Sequence, residues 1–295
     1  MNLKISTFLC CLILCISCSQ KQDAKNYLIE LDAFERLSKL KSTKIIDFRK
    51  SKKYQEGHLK NAINIWRSDI EDSTFPFGGM KASKKQLEAL FGKLGIRTDD
   101  TLLIYDDKGL CDAARLWWVL QYYNFSNVKL LNGGITTLKN AAIPFTNTST
   151  KFAPSVFQFK GHNTKLFASK EQVELAIAKK AIIIDTRTAD EYVGNYIKKG
   201  AFRAGRIPSS KLFDWAEAIN FNGDHKMKSK AELEMIYSTI SQDKNAPIFV
   251  YCHSGVRSAH TTFVLTQILG FTTVLNYDGS WTEWSYHKEL PIIKD

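Results

Sequence analysis

One stretch near the C-terminus decides how the rest of the chain is interpreted: Pro247-Ile248-Phe249-Val250-Tyr251-Cys252-His253-Ser254-Gly255-Val256-Arg257-Ser258-Ala259-His260. Its apolar first part predicts a short buried strand, and a helix is expected to begin near Ser258. A loop between a strand and a helix N-terminus gathers backbone N–H groups and a partial positive charge around one point. A thiol at that point should have a lowered pKa, so Cys252 is predicted to be a nucleophile. The alternative is a structural cysteine, buried at the end of a strand.

The same strand pattern occurs twice in the chain. The strand that ends at Cys252 repeats one that ends at Asp106, 146 positions earlier, and the strand ending at Asp185 repeats one ending at Asp47, 138 positions earlier. The difference predicts an insertion in the second copy, around residues 196–202. Strands that alternate with helices indicate an α/β domain, here duplicated, in which each copy is a mostly parallel sheet with helices on both faces. Because one copy has a thiol where the other has a carboxylate, a chemical role for Cys252 is favoured over a structural one.

These patterns predict five segments along the chain. They are a signal peptide at residues 1–18, a tether at 19–28, a first domain at 29–145, a linker at 146–165 and a second domain at 166–295. The linker is rich in Thr, Asn, Ser and Lys, which is typical of a connecting segment.

The N-terminal segment predicts export. Lys4 precedes the apolar run 8–16, which is too short to span a bilayer comfortably. Ser17 followed by Cys18 resembles a bacterial lipoprotein signal, which implies that Cys18 is lipidated and anchors the mature chain to the cell envelope, facing the periplasm or the cell surface. An ordinary signal peptide or membrane anchor is the alternative, and both place the domains in an oxidising compartment.

Composition narrows the function further. Of the six cysteines, only Cys111 and Cys252 fall in the predicted domains, and no Cys-x-x-Cys pair occurs, so neither a disulfide scaffold nor a zinc site is expected. No metal or other cofactor is implied. The formal net charge of +11 comes from lysines and arginines scattered among acidic residues, which favours a solvated basic surface over a nucleic-acid site. A positive field would help to draw small anions to a cleft.

Several motifs, in this order and spacing, resemble the rhodanese (sulfurtransferase) family in its tandem form, in which the first domain is inactive and the second is catalytic. The resemblance covers nearly all of residues 29–295. The motifs are Asp47-Phe48-Arg49 with Gly57-His58-Leu59, Arg115-Leu116-Trp117-Trp118, Asn132-Gly133-Gly134, the loop Cys252-His253-Ser254-Gly255-Val256-Arg257, and Tyr277-Asp278-Gly279-Ser280-Trp281-Thr282-Glu283-Trp284.

The resemblance implies a covalent mechanism. Cys252 would take the sulfane sulfur of a small anionic donor as a persulfide and pass it to a thiol, to a thioredoxin-like protein or to cyanide. The loop residues His253, Gly255, Val256 and Arg257 would hold the substrate and stabilise the charged sulfur through their N–H groups. The donor would be thiosulfate or 3-mercaptopyruvate.

The loop leaves the choice of donor open. Ser254 resembles a serine of the mercaptopyruvate enzymes, where it is proposed to act with a histidine and an aspartate that match His58 and Asp47. The alternatives are that His58 is a structural histidine and that Asp47 caps the loop after its strand. Against this, Glu191 stands where those enzymes have a substrate-binding arginine.

Thiosulfate-preferring members usually have two basic residues directly after the cysteine, where this chain has His253 and Ser254. Arg257 could supply the contact to the anion instead, by two hydrogen bonds, or it could be tied to loop carbonyls or to a carboxylate such as Asp185.

Other interpretations remain. Four residues separate Cys252 from Arg257, whereas cysteine phosphatases have five, so a phosphatase is disfavoured. A persulfide carrier that serves a partner protein without turnover is the main alternative. Cys111 is expected to be either a resolving thiol or a bystander, and Arg187 to pair with an acid in its own domain. A monomer is expected.

Overall fold

The protein is described by a computed structural model that covers residues 26–295. The predicted signal peptide, Cys18 and most of the tether lie outside these described residues. The first domain contains β1 (Leu28–Ile29), α1 (Leu31–Ser38), β2 (Thr43–Asp47), α2 (Ser51–Gln55), β3 (His58–Leu59), β4 (Ala62–Asn64), α3 (Lys84–Lys93), β5 (Thr101–Tyr105), α4 (Cys111–Tyr122), β6 (Val128–Leu131), α5 (Gly134–Asn140) and β7 (Phe145–Thr146).

The second domain repeats this order of elements. It contains β8 (Phe167–Ala168), α6 (Lys170–Ala178), β9 (Ile182–Asp185), α7 (Ala189–Val193), β10 (Ser210–Leu212), α8 (Lys230–Ile236), β11 (Ile248–Tyr251), α9 (Val256–Phe263), β12 (Val274–Tyr277) and α10 (Ser280–Tyr286). Three short 3₁₀ helices occur at Arg67–Ile70, Thr164–Leu166 and Trp215–Ala218, and a π-helical turn at Val264–Ile268 extends α9.

Each domain is built on a five-stranded sheet whose strands all run parallel. The order is β4-β2-β5-β6-β1 in the first domain and β10-β9-β11-β12-β8 in the second. Strands of the same rank therefore occupy the same place in both sheets, which confirms the duplicated α/β fold. Antiparallel pairing within residues 26–295 is limited to the small pair β3 and β7, in the first domain, and to isolated bridges such as Arg206 with Ile293.

Three apolar clusters show that helices cover both faces of both sheets. A central cluster joins the two domains and includes residues of α3, α4, α8 and α9, and an outer cluster lies on the far face of each sheet. At the centre, α4 packs along α9, and Trp117 meets Phe263 edge to face with their ring centroids 4.9 Å apart. The two domains thus share one core, and the strand ends that carry Asp106 and Cys252 are held in a fixed relation.

Residues 147–163, between the domains, form no strand or helix but are packed against the first domain. Phe157 and Phe159 are buried, and Phe157 lies edge to face on Phe91 of α3, with centroids 5.0 Å apart. The connection therefore adds to the core. Among residues 26–295, no helix combines the length and the apolar character that crossing a bilayer requires.

Candidate active site

Cys252 follows β11 directly and lies in a pocket of polar groups. Only 1% of the residue is exposed. The Ser258 hydroxyl donates a hydrogen bond to its sulfur, with 3.4 Å between Oγ and Sγ. Burial alone would raise the pKa of this thiol, but the charge of Arg257 and hydrogen bonds from Ser258 and the Ser254 N–H lower it below its ordinary value. The geometry therefore favours a thiolate, which is the nucleophilic form of cysteine.

The loop after Cys252 depends on a glycine. Helix α9 begins at Val256 because Gly255 adopts the left-handed conformation, with φ at +73°. A Cβ at Gly255 would lie 2.6 Å from the Asp278 carbonyl oxygen and 2.8 Å from Nη1 of Arg115. A side chain at this position would therefore be strained and would collide with the groups that support the loop.

Ser280 connects the loop to the end of β12. Its hydroxyl accepts hydrogen bonds from the backbone N–H groups of Cys252, at 3.1 Å, and Gly255, at 3.0 Å, and it donates to the Tyr277 carbonyl at 2.7 Å. One buried hydroxyl thus holds both ends of the turn. In the sequence, Ser280 was noted only as part of the motif at residues 277–284. Its role becomes visible once the ends of β11 and β12 are seen side by side.

Arg257 is paired with a carboxylate. Its Nη1 and Nη2 atoms donate to Oε2 and Oε1 of Glu191, at 2.6 and 2.8 Å, and both residues are buried. Burial would raise the pKa of Glu191, but the hydrogen bonds and charge of Arg257 lower it to about 2. Of the expectations for Arg257, the structure supports the one that ties it to a carboxylate, and that carboxylate is Glu191 and not Asp185. The charge of Arg257 acts on Cys252, while the two N–H groups at the edge of its guanidinium are bound by Glu191.

His253 and Lys198 lie on the other side of the loop. Nε2 of His253 is 3.1 Å from the Lys199 carbonyl oxygen and must carry the proton there, while its buried Nδ1 has no partner. Burial, together with the charges of Lys198 and Arg257, lowers the pKa of His253 to about 4, so this ring is neutral at pH 7. Lys198 is half-buried, and burial and Arg257 lower its pKa. It belongs to the predicted insertion but was not singled out as a site residue.

The predicted relay of Ser254, His58 and Asp47 is not assembled. Both ring nitrogens of His58 face backbone carbonyls of the first domain, and its ring is stacked on Tyr54. Asp47 accepts hydrogen bonds from the Arg49 guanidinium and from the Tyr105 hydroxyl at 2.6 Å. These side chains are committed to their own domain, so this expectation was wrong.

Asp185, Arg187 and Tyr251 repeat that arrangement in the second domain. Arg187 pairs with Asp185 at 2.6 Å, and Tyr251 donates to the same carboxylate at 2.7 Å. This confirms that Arg187 pairs with an acid of its own domain. The sequence pattern Asp-x-Arg therefore forms a buried ion pair with a structural role in both domains.

What the first domain does contribute is Arg115 of α4. Its guanidinium donates to Oδ1 of Asp278 and to the Gly79 carbonyl, both at 2.7 Å, and to the Gly255 carbonyl at 3.3 Å. Both members of the Arg115–Asp278 pair are only 1% exposed. Ser254 packs against Gly79, where a Cβ would lie 2.5 Å from the serine Cβ. The first domain thus supports the loop after Cys252 from behind.

The equivalent loop of the first domain holds an anion of its own. The Asp106 carboxylate accepts hydrogen bonds from the backbone N–H groups of Lys108, Leu110, Asp112 and Ala113, at 2.9 to 3.2 Å. Burial and the charge of Asp112 raise the pKa of Asp106 to about 6, and these hydrogen bonds limit the rise. The carboxylate occupies these four N–H groups, so they are not available to a substrate.

Cys111 begins α4 within this first loop. It is fully buried, and burial and the nearby Asp112 raise the pKa of its thiol. Cys111 and Cys252 are both free thiols. In residues 26–295, no group of three or more His, Cys, Asp or Glu side chains could hold a metal ion.

The fold and this loop define a two-domain α/β protein with a single activated thiol. The family model for the rhodanese-like domain matches residues 30–141 and 169–287. The chain belongs to the rhodanese family. A sulfur carrier protein of Thermus thermophilus, TtuD, is 34% identical over 252 residues, which cover 82% of this chain and 87% of that one. The protein named "Putative thiosulfate sulfurtransferase SseA" in Mycobacterium bovis is 36% identical over 248 residues, 81% of each chain.

Solved structures agree on the fold. SseA from Escherichia coli, described with the 3-mercaptopyruvate sulfotransferases, superposes with a TM-score of 0.76 at 24% identity, over 87% of this chain and 99% of that chain. The anaerobic ergothioneine biosynthesis enzyme from Chlorobium limicola gives a TM-score of 0.81 at 18% identity, over 92% of this chain and 71% of that one. At these identities the likeness establishes the architecture alone.

Proposed function

We propose that this sulfurtransferase carries sulfur on Cys252, receives it from thiosulfate and delivers it to a thiol or to cyanide. The observation that carries the proposal is the position of Cys252, where Arg257, Ser258 and the Ser254 N–H together lower the pKa of a buried thiol. The equivalent site of the first domain is occupied by its own carboxylate, so catalysis is assigned to the second domain.

The reaction has two displacements on sulfur. The Cys252 thiolate attacks the sulfane sulfur of thiosulfate, the sulfur–sulfur bond breaks, and sulfite leaves with the electron pair. The acceptor thiolate or cyanide then attacks the outer sulfur of the Cys252 persulfide, and Cys252 leaves again as a thiolate. The net reaction needs no oxidant or reductant, and the N–H groups of the loop and the Arg257 charge stabilise the anionic sulfur in both steps.

Thiosulfate is favoured over 3-mercaptopyruvate for two reasons. The Ser254, His58 and Asp47 side chains do not form the relay that the resemblance associates with mercaptopyruvate. Glu191 stands where the mercaptopyruvate enzymes have an arginine for the substrate carboxylate, and it is paired with Arg257, so that arginine is missing here. Lys198, whose charge interacts with Cys252 and Arg257, is assigned to the sulfonate group of thiosulfate.

The test is thiocyanate formation by the purified full chain, with thiosulfate or 3-mercaptopyruvate as donor and cyanide as acceptor. Multiple turnovers with thiosulfate, lost in Cys252→Ser, support the proposal, and turnover with mercaptopyruvate alone would contradict the choice of donor. The relative named as a sulfur carrier favours one second candidate, a persulfide carrier. A single sulfur gained by Cys252 in the mass spectrum, without turnover, would replace the enzyme by that carrier.

We also propose that the chain is exported, lipidated on Cys18 and monomeric. Support for lipidation is the sequence Ser17-Cys18 after an apolar run. Support for a monomer is that one chain supplies every contact described around Cys252, including Arg115 from its other domain. Incorporation of a labelled fatty acid should be lost in Cys18→Ser and kept in Cys15→Ser, and light scattering of the detergent-solubilised chain should give one copy.

A further inference from the structure

Three exposed aromatic side chains, Phe75, Tyr286 and Phe202, are linked through the buried ring of Phe77, and the four together are here called the aromatic ridge. Neighbouring ring centroids are 5.7 Å apart for Phe75 and Phe77, 5.4 Å for Phe77 and Tyr286, and 5.1 Å for Tyr286 and Phe202. Phe75 is 41% exposed, Tyr286 38% and Phe202 52%. The ridge runs from the first domain to the second, and a contiguous apolar patch of this kind marks an interaction surface.

Both loop segments that carry the ridge touch the loop of Cys252. From the first domain, Gly78 accepts a hydrogen bond from the Thr282 hydroxyl at 2.8 Å, and Gly79 packs on Ser254. From the second, the Lys199 carbonyl accepts from His253. The segments that carry the ridge therefore border the catalytic loop.

The size of the ridge exceeds what a small substrate needs. Thiosulfate and cyanide are small polar anions that gain nothing from aromatic contacts, whereas aromatic anchors are typical of protein interfaces. Tyr196 and Ile197, in the same loop as Phe202, are also exposed. The apolar surface therefore indicates a macromolecular acceptor.

Charges around the ridge indicate the character of that acceptor. Lys199 and Lys288 are exposed and Lys198 is half-buried. Two carboxylates lie near the same surface: Asp72, which lines a cavity with Phe75, and Glu289, which is exposed and 3.1 Å from His287. The three lysines outnumber the two carboxylates. A basic rim around an apolar centre is complementary to an acidic protein and would steer its approach. The net charge of +11 acts in the same direction.

We propose that the aromatic ridge is the docking surface for an acidic protein that presents an exposed thiol and accepts the sulfur of the Cys252 persulfide. This inference rests on the proposed function and adds its acceptor. The acceptor thiolate attacks the outer sulfur, the sulfur–sulfur bond of the persulfide breaks, and Cys252 leaves as a thiolate. The acceptor becomes a persulfide, with no other reactant consumed.

The experiment compares two acceptors in a single turnover. The full chain is loaded with thiosulfate until Cys252 carries one additional sulfur by mass, and the loss of that sulfur is followed with cyanide or with reduced thioredoxin, a small acidic protein with an exposed thiol. In Phe75→Ser/Phe202→Ser, the second-order rate constant with thioredoxin should fall about tenfold, the size expected for losing two interface anchors. The rate with cyanide should not change.

A matched control carries the same change elsewhere. Leu175→Ser/Met235→Ser removes two exposed apolar side chains from α6 and α8 and should leave both rates unchanged. Raising the salt concentration should slow transfer to thioredoxin more than transfer to cyanide, because an acidic protein presents many charges to the basic rim and a small ion presents one.

Three outcomes would overturn the inference. Equal rates with thioredoxin in the ridge variant and the unaltered chain would remove the ridge from acceptor binding, and so would the absence of any transfer to thioredoxin. Loss of binding to vesicles of anionic phospholipid in the ridge variant, with transfer to thioredoxin unchanged, would make the ridge a membrane contact. Failure of Cys252 to gain sulfur at all would instead overturn the proposed function. Normal transfer to cyanide shows that the proposed function holds, so a loss confined to thioredoxin concerns the ridge alone.

Discussion

The loops after Asp106 and Cys252 occupy the same place in two copies of one fold, yet their charges are reversed. In the second domain, the second residue of α9 is Arg257, paired with Glu191. In the first, the second residue of α4 is Asp112, paired with Arg67. The second residue of the helix is thus a cation in one domain and an anion in the other. The cation lowers the pKa of Cys252, whereas the anion raises the pKa of Asp106.

The loops also differ in length. Four residues separate Asp106 from the start of α4, and three separate Cys252 from the start of α9. Both helices are preceded by a residue in the left-handed conformation, Leu110 and Gly255. The π-helical turn after α9 accommodates one more residue than an α-helical turn would, so the later strands still align at a spacing of 146. The comparison teaches that N–H groups of the loop stabilise an anion in both domains. In the first domain that anion is the Asp106 carboxylate, and in the second it is the Cys252 thiolate, which can react.

The strongest test moves the thiol between the loops. Cys252→Ser should lower thiocyanate formation by at least about 10³-fold, because the covalent step is lost. Adding Asp106→Cys to that variant should restore nothing, since burial and Asp112 would keep the new thiol protonated. Steady-state thiocyanate assays measure both. Recovery of activity in the double variant would show that the two loops are chemically equivalent.

The next test breaks the support that the first domain gives to the second. Arg115→Leu should lower the free energy of unfolding by about 3–5 kcal/mol, because it leaves Asp278 buried without its partner. Thiocyanate formation should fall even where the variant is folded, since the Gly255 carbonyl loses a donor. Urea unfolding and assays at low temperature separate the two effects. The double variant Arg115→Leu/Asp278→Leu should regain stability but not full activity, and full activity there would show that the loop needs no support.

Glu191→Gln tests how the ion pair sets the pKa of Cys252. Without the carboxylate, the full charge of Arg257 acts on the thiol, so the pH midpoint of alkylation by iodoacetamide should fall below that of the unaltered chain. The midpoint of the unaltered chain should itself lie below about 8.5, the ordinary cysteine value. In Glu191→Gln/Arg257→Gln the midpoint should rise instead. Identical midpoints in all three proteins would remove the ion pair from control of the thiolate.

Acid unfolding tests the same pair through linkage. The pKa of Glu191 is about 2 in the folded chain and about 4.3 in the unfolded chain. The ionised carboxylate therefore stabilises the fold fully at pH values above the unfolded pKa, and this stabilisation is lost as the pH falls through the folded pKa. This contribution amounts to about 3 kcal/mol. The unaltered chain should lose it between about pH 4 and pH 2, and Glu191→Gln should lack that part of the pH dependence. The measurement is the urea midpoint of both proteins across this pH range, and the same pH dependence in both would contradict the expectation.

The smallest expected effect is at Lys198. Lys198→Gln should raise the KM for thiosulfate about fivefold, because a charged hydrogen-bond donor to the sulfonate is lost, and should leave kcat nearly unchanged. Lys230→Gln, an exposed lysine of α8, is the control and should change neither constant. An unchanged KM in Lys198→Gln would show that the loop N–H groups bind the sulfonate without Lys198.

Sequence reasoning reached the duplication, the sheet class, the activated thiol and the family because these are recorded as local patterns. Buried strands, a loop and a helix start lie next to one another in the chain, and their repetition at a fixed spacing is visible without coordinates. It failed for the relay of Ser254, His58 and Asp47. Those residues match a motif, but only packing shows that Tyr54, Arg49 and Tyr105 engage the side chains within the first domain.

The sequence by itself determined the order of elements, the position of the thiol at the end of β11 and the difference between Cys252 and Asp106. Only the tertiary structure decided the partner of Arg257, the role of Arg115 and the joining of Phe75 to Phe202 in one ridge. The reason is physical: periodicity and loop length act between neighbours in the chain. Ion pairs, buried hydrogen bonds and exposed patches instead depend on which distant segments meet when the two domains close around a shared core.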